Sequence, residues 1–238
     1  MMRLLSRPFR GLALIAALIL AASVGRAPAQ DPKERPCTED AMLVFDASGS
    51  MAGNGWGYGS ESANSHTRIE KVRRSLAAVL PSITRFRRIG LVTYGPGASN
   101  QCNVKLDFPP EDNSARRVVE TVSRLIPAGR TPLTAGVERA AEILNYRHKP
   151  GIIVVLTDGE ETCGGKPCEV GKRLHAEALQ LTVHVIGLRV QNYTWTGEQS
   201  LLDTKCLAEE SGGLYIGVAT EQELIEALRK TLGCPMLS

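Results

Sequence analysis

Short apolar blocks alternate with amphipathic blocks along residues 41–232 of the chain. A short apolar run is typical of a buried strand, and apolar residues spaced three or four positions apart are typical of a helix. The first pattern predicts strands at 41–45, 89–94, 104–108, 151–157, 181–188 and 214–218. The second pattern predicts helices at 69–80, 118–126, 134–145, 168–180, 201–210 and 221–232.

The most apolar of these segments predicts how the sheet is covered. Residues 152–156 read Ile-Ile-Val-Val-Leu, and an unbroken apolar strand is typical of a parallel sheet with crossover helices on both faces. The segment 104–108 differs, because only a loop rich in Gly, Pro, Ser and Asn separates it from Tyr94. Such a loop is too short for a crossover helix and favours an antiparallel edge strand. We therefore predict an α/β fold, a doubly wound three-layer sandwich with a mostly parallel six-stranded sheet and one antiparallel edge strand.

The N-terminal segment has the features of a secretory signal peptide. Arg3, Arg7 and Arg10 precede the apolar run 12–22, and Ala27-Pro28-Ala29 matches a cleavage site. The apolar run is short for a transmembrane helix, which needs about 20 residues. We expect a leader that is removed on export to the periplasm or outside the cell, without stable membrane insertion of the mature chain.

This leader divides the chain into four expected parts. They are a signal peptide at 1–29, an N-terminal segment at 30–39, one α/β domain at 40–233 and a C-terminal tail at 234–238. The full chain has 28 Lys and Arg against 25 Asp and Glu, but four of the arginines lie in the leader. The mature chain is then close to neutral, which argues against a nucleic-acid partner.

All six cysteines lie beyond the expected cleavage site, and an even number in an exported chain favours disulfides. Cys37 and Cys234 bracket the domain, so a bond between them would join its ends. Cys163 and Cys168 enclose a flexible Gly-Gly-Lys-Pro segment that could close a small loop. These two pairings leave Cys102 and Cys206 to pair by elimination.

Polar residues follow the first predicted strand directly. Asp46-Ala47-Ser48-Gly49-Ser50 reads D-x-S-x-S, a set of oxygen donors that suits Mg²⁺ or Mn²⁺. The alternative interpretation is an ordinary polar turn, because Asp, Ser and Gly are common turn residues.

Two other polar loops are expected at the same edge of the sheet. Residues 129–134 precede a helix, and residues 157–162 follow the fourth strand. In an open α/β sheet, ligands bind beyond the carboxyl ends of the strands. These loops can therefore bring residues from three segments around one site: Asp46, Ser48, Ser50, Thr131 and Asp158.

This arrangement resembles the metal-ion-dependent adhesion site (MIDAS) of von Willebrand factor type A (VWA) domains, whose signature is D-x-S-x-S, a distant Thr and a distant Asp. The resemblance extends over about residues 40–232, including the order of strands and helices. It implies that Ser48, Ser50 and Thr131 bind one Mg²⁺ or Mn²⁺ ion through their hydroxyls. It also implies that Asp46 and Asp158 act directly or through water, and that an acidic group of a protein partner takes an open coordination position.

Residues 51–60 form a glycine-rich loop next to this site, and Trp56 and Tyr58 lie in it. Exposed aromatic rings near a site can anchor a partner, whereas rings folded back would cover the loop itself. Glu160 and Glu161 can adjust the charge of the site or simply face solvent.

Three functions remain open from the sequence. The first is a non-enzymatic module that captures a protein through its metal. The second is a hydrolase with Ser48 or Ser50 as nucleophile, although the sequence has no G-x-S-x-G motif and no evident triad histidine. The third is a scaffold with a structural metal that binds its partner through the Trp56 loop.

Overall fold

The computed structural model describes residues 37, 39–53, 67–98, 100–188 and 197–234. The signal peptide predicted at 1–29, most of the segment 30–39, and residues 235–238 lie outside the described residues. The same holds for Trp56 and Tyr58. The described residues belong to one compact unit, Glu34–Ser238.

The described residues form six strands and six α-helices, which mostly alternate along the chain. The strands are β1 (Asp40–Asp46), β2 (Ile89–Tyr94), β3 (Val104–Glu111), β4 (Pro150–Thr157), β5 (Gln180–Leu188) and β6 (Tyr215–Val218). The helices are α1 (Arg68–Ile83), α2 (Ala115–Ser123), α3 (Leu133–Leu144), α4 (Pro167–Glu177), α5 (Gly197–Glu210) and α6 (Glu221–Leu232). A short 3₁₀ helix, Gly49–Ala52, follows β1. Among the helices described, none has the length and apolar character that a membrane span requires.

The strands form one sheet in the order β3-β2-β1-β4-β5-β6. Strand β3 pairs antiparallel with β2, and the other neighbours are parallel. The predicted fold class is thus confirmed, including the antiparallel edge strand. Strand β3 runs three residues beyond its predicted end and includes Pro109 and Pro110, which an edge strand tolerates because one side of its backbone needs no ladder partner.

Helices cover both faces of the sheet, which explains the continuous apolar strands. Leu43 and Phe45 belong to a buried cluster with residues of α1, α2 and α6. Met42 and Val44 point to the opposite face and join a cluster with residues of α3, α4 and α5. After β3 the chain returns to the other side of β1, so the strand order reverses between β1 and β4. A crevice forms at such a switch point in open α/β sheets.

A buried arginine joins chain segments at the amino end of the parallel strands. Arg87, just before β2, is 2% exposed, and its Nε donates a hydrogen bond to the carbonyl of Leu232 at 2.7 Å. Its Nη1 donates to the carbonyl of Glu39 at 2.8 Å. One guanidinium thus links the end of α6 to the start of β1, because its planar fork of donors can satisfy two carbonyls at once.

The expected Cys37–Cys234 disulfide is present beside this linkage. Cys37 also donates its backbone N–H to Phe86. The two ends of the described unit are therefore joined covalently and through Arg87.

We expect Arg87→Lys to lower the free energy of unfolding by about 2 kcal/mol, because the compact ammonium lacks the planar fork that reaches both carbonyls, so that one buried carbonyl loses its partner. Urea unfolding followed by circular dichroism measures the change. Arg116→Lys is the matched control, since the Arg116 side chain is 90% exposed and pairs with Glu120 on the surface of α2. Equal losses in the two variants would contradict this assignment.

His184 in β5 links stability to pH. Its Nδ1 accepts a hydrogen bond from the backbone N–H of Leu214 at 3.0 Å, so the ring must be unprotonated at that atom. Burial lowers the pKa of His184 to about 4, and the positive charges of Arg87 and Lys230 act in the same direction. An unfolded chain takes up this proton near pH 6.5, so the folded state loses stability as pH falls from about 6.5 to about 4.

The variant His184→Asn keeps a hydrogen-bond acceptor and removes the titration. We expect its thermal unfolding midpoint to fall less than that of the natural chain between pH 6.5 and 4.5. His175→Asn is the control, because His175 is exposed on α4. Parallel pH profiles for the natural chain and His184→Asn would refute the assignment.

Candidate metal centre

Asp46 is the last residue of β1, and its carboxylate is fully buried. Its Oδ1 accepts a hydrogen bond from the backbone N–H of Ser48 at 2.8 Å. Its Oδ2 accepts from the Thr157 hydroxyl at 2.7 Å and from the Tyr94 hydroxyl at 3.1 Å. Three donors therefore fix this carboxylate at the carboxyl end of the sheet, with acceptor capacity left for a further donor such as water.

The two serines of the motif lie beside this carboxylate. The 3₁₀ helix turns the chain so that the Ser48 and Ser50 hydroxyl oxygens lie 3.0 Å apart. Ser50 donates its hydroxyl to Oδ1 of Asp158 at 2.6 Å. Three side-chain oxygens from two different loops thus form a continuous chain.

Thr131 lies near the two serines because the backbone of its loop pairs with the segment after β1. Ser48 forms an isolated parallel bridge with Gly129, and Gly49 donates its N–H to the carbonyl of Gly129 at 3.0 Å. A methyl group placed on Gly159 would lie 3.5 Å from the Ser50 hydroxyl oxygen and 3.7 Å from the Thr131 hydroxyl oxygen. These two oxygens therefore border one small space, which glycine leaves open.

Asp158 follows β4, and its side chain is buried. While Oδ1 accepts from Ser50, Oδ2 accepts a hydrogen bond from Nη1 of Arg68 at 2.8 Å. The same nitrogen donates to the carbonyl of Ser50 at 2.8 Å. The five residues selected from the sequence are thus brought together, and a guanidinium is held beside them.

Burial disfavours the ionised form of both carboxylates. Desolvation raises the pKa of Asp46 to about 6, and the negative charge of Asp158 adds to that shift. Burial also raises the pKa of Asp158, although Ser50 and Arg68 oppose the change. A nearby cation favours the ionised forms. Two buried carboxylates and three hydroxyls around a small space therefore fit a small hard cation such as Mg²⁺ or Mn²⁺.

Three residues that support the site were missed by the sequence analysis. Tyr94 is the last residue of β2, and the parallel register sets it opposite Asp46. Thr157 is the last residue of β4 and follows Leu156, which pairs with Phe45. Strand ends next to Asp46 are a signal that could have indicated them, once the strand order was known. Arg68 is the first residue of α1, and its sequence context carries no such signal.

The two glutamates after Asp158 have different roles. Glu160 is exposed, as one of the sequence interpretations expected. Glu161 accepts hydrogen bonds from the backbone N–H and hydroxyl of Thr134, at 2.9 and 2.8 Å, and from the N–H of Cys163. Glu161 therefore anchors the first turn of α3 to the loop after β4.

Two of the three disulfide pairings expected from the sequence are wrong. The structure contains Cys102–Cys163 and Cys168–Cys206, not Cys163–Cys168 and Cys102–Cys206. Cys168 lies in the first turn of α4, which packs on α5 and so contacts Cys206. Cys163 precedes that helix and meets the loop before β3 instead. Short sequence spacing was misleading because a helix begins between the two cysteines.

The Cys102–Cys163 bond joins two segments that hold the Thr131 loop between them. Arg130 donates its N–H to the carbonyl of Gln101 at 3.0 Å. On the other side, Thr131 donates its N–H to the Thr162 hydroxyl at 2.8 Å, and Thr162 donates its N–H to the carbonyl of Thr131. The disulfide therefore fastens the two neighbours of Thr131 to each other.

We expect the paired substitutions Cys102→Ser and Cys163→Ser to speed amide hydrogen exchange at Thr131 and Thr162, because the segments on either side are no longer joined. The pair Cys168→Ser and Cys206→Ser is the matched control. Each pair should cost about 2 to 4 kcal/mol in unfolding free energy, since both disulfides close long loops. Equal exchange at the Thr131 loop in the two double variants would exclude this role.

The chain resembles known proteins over most of its length. YwmD of Bacillus subtilis (strain 168) is 24% identical over 210 residues, which make up 83% of this chain and 86% of YwmD. The PilB minor pilin from Streptococcus sanguinis has the same fold, with a TM-score of 0.61 and 18% identity over 85% of this chain and 62% of the pilin.

A third comparison concerns a structure with a metal. Proximal thread matrix protein 1 from the mussel byssus, in a structure with a zinc-occupied MIDAS motif, shares the fold with a TM-score of 0.55. The identity is 16%, and the match covers 82% of this chain and 45% of that protein. The family model of the von Willebrand factor type A domain matches residues 41–161, about half of the chain. The chain belongs to the von Willebrand factor type A domain family.

Proposed function

We propose that this chain is an exported, non-enzymatic binding module that captures a protein partner through one divalent cation. The observation that carries the proposal is the meeting of three hydroxyls and two buried carboxylates at the carboxyl edge of the sheet. Ser48, Ser50 and Thr131 would bind Mg²⁺ or Mn²⁺ through their hydroxyls. Asp46 and Asp158 would act directly or through water.

The geometry of the carboxylates supports this division of roles. Asp46 already accepts three hydrogen bonds from protein groups, so little of its acceptor capacity is left for direct coordination. The donors free to turn toward an ion are mostly neutral hydroxyls. When bound, the cation supplies a positively charged position that an acidic group of a partner can occupy.

The contacts of the serines favour binding over hydrolysis. Ser50 donates its hydroxyl to Asp158, and its nearest hydroxyl neighbour is Ser48. A serine nucleophile usually needs a histidine as its base. Among the described residues, His148 contacts Asn145, His184 accepts from Leu214 and His175 is exposed on α4, and none of these three forms a hydrogen bond with Ser48 or Ser50.

Export and the choice of ion have separate support. The three disulfides among the described residues suit an oxidising compartment, in agreement with the signal peptide proposed at residues 1–29 and a mature domain at 40–233. We infer Mg²⁺ or Mn²⁺ because all the donors are oxygens, whereas zinc sites in proteins favour nitrogen and sulfur ligands.

The double variant Asp46→Ala, Ser48→Ala should weaken Mn²⁺ binding at least about tenfold in isothermal titration calorimetry, because a coordinating hydroxyl and the carboxylate behind it are lost. In the natural chain, an ion at 100 times its dissociation constant should stabilise the fold by about 2.7 kcal/mol. That stabilisation should disappear in the variant. Asp112→Ala, Ser123→Ala is the matched control, because both residues are exposed. Unchanged Mn²⁺ affinity in the first variant would overturn the metal site.

The same two variants test partner capture. Each is immobilised with Mn²⁺ and exposed to the native extract, and bound protein is eluted with EDTA. We expect the control variant to retain a protein from the extract that the Asp46→Ala, Ser48→Ala variant does not retain. A partner retained equally by both, with or without EDTA, would show that binding does not pass through the ion.

A further inference from the structure

Arg68 lies inside the candidate metal centre, although a positive side chain is unfavourable where it stands. It is the first residue of α1, where the helix dipole favours negative charge. Its side chain is only 16% exposed, so solvent does little to compensate. The contact that compensates it is the pair with the buried carboxylate of Asp158, at 2.8 Å.

The two oxygens of the Asp158 carboxylate have different hydrogen-bond partners. Oδ2 is occupied by Nη1 of Arg68, and Oδ1 faces the Ser50 hydroxyl. Nη1 also donates to the carbonyl of Ser50, which ties the arginine to the loop carrying the serines. Asp158 therefore has one oxygen directed at the hydroxyls and one that is neutralised by Arg68.

The charge of the site follows from these contacts. Asp46 and Asp158 contribute two negative charges when ionised, and Arg68 contributes one positive charge. The net charge near the hydroxyls is then about one negative, which leaves a divalent ion incompletely neutralised. Without the arginine, two carboxylates would balance the ion, and an anionic ligand would gain less by approaching it.

We propose that Arg68 is an internal cation that weakens the hold of the site on its ion and thereby strengthens its attraction for an anionic partner group. This inference rests on the proposed metal-dependent function and deepens it. It makes Arg68 a specificity-determining residue, since it favours carboxylate ligands over neutral ones without being an ion ligand.

The test compares two bindings that should change in opposite directions. Arg68→Gln removes the charge, Arg68→Lys keeps it, and Arg74→Gln removes a charge of the same helix that pairs with Glu221 at the surface. Mn²⁺ affinity is measured by isothermal titration calorimetry. Acetate binding to the Mn²⁺-loaded protein is measured by the loss of water-proton relaxation enhancement, because acetate displaces ion-bound water.

We expect Arg68→Gln to bind Mn²⁺ about fivefold more tightly and acetate about fivefold more weakly. Arg68→Lys and Arg74→Gln should stay within about twofold of the natural chain in both measurements. Weaker binding of both probes in Arg68→Gln would mean that Arg68 only supports the loop, and it would overturn the proposal. Weaker acetate binding with unchanged Mn²⁺ affinity would contradict the charge argument as well.

A second variant covers the case in which Arg68→Gln does not fold. A methyl group on Gly53 would lie 3.0 Å from both Nη1 of Arg68 and the carbonyl oxygen of Ser50, so Gly53→Ala should push the guanidinium away from that carbonyl by a few tenths of an ångström while keeping its charge in the chain. It should shift both affinities in the same directions as Arg68→Gln, by about twofold. No shift in a folded Gly53→Ala variant would count against the proposal.

The result also separates this inference from the proposed function. If Asp46→Ala, Ser48→Ala loses Mn²⁺ while Arg68→Gln binds both probes like the natural chain, the metal site stands and the role of Arg68 fails. If Asp46→Ala, Ser48→Ala binds Mn²⁺ normally, the metal site fails and the inference fails with it.

Discussion

The parallel pairing of β1 with both β2 and β4 determines where the side chains of the candidate site lie. This register sets Asp46 opposite Tyr94 and brings Thr157 next to it. The carboxylate then accepts hydrogen bonds from both hydroxyls in the buried centre of the sheet edge. A slip of one residue would turn Asp46 to the other face of the sheet. The positions of the neighbouring loops depend on this arrangement, because the bridge between Ser48 and Gly129 begins two residues after Asp46.

Burial strengthens the electrostatic interactions among the charged side chains at the carboxyl edge of the sheet. In water, the two carboxylates and the guanidinium would interact weakly, but electrostatic interactions are stronger in a medium of low dielectric constant. The raised pKa values of Asp46 and Asp158 have burial as their main cause. Arg68 offsets part of this cost at Asp158. In the function we propose, the same balance of charges would set how strongly the site holds an ion and how strongly that ion attracts an acidic group.

The two ends of the parallel sheet are reinforced separately. At the amino end, Arg87 and the Cys37–Cys234 bond join the start of β1 to the end of α6. At the carboxyl end, the Cys102–Cys163 bond and Glu161 hold the loops around Thr131. A substitution at the amino end, such as one at Arg87, can therefore lower stability without touching the residues of the candidate site.

The sequence by itself determined the order of strands and helices and the antiparallel edge strand, and it selected the five residues that we propose as the metal site. Hydrophobic periodicity is a local property, and D-x-S-x-S is a local motif, so both can be recognised without a structure. The contacts of Arg68 with Asp158, of Thr157 with Asp46 and of Cys102 with Cys163 were decided only by the tertiary structure. Each of them joins residues 61 to 111 positions apart in the chain. Such pairs meet because helices and strands pack in one particular arrangement, and the spacing of two residues along the sequence does not indicate how far apart they lie in the folded chain.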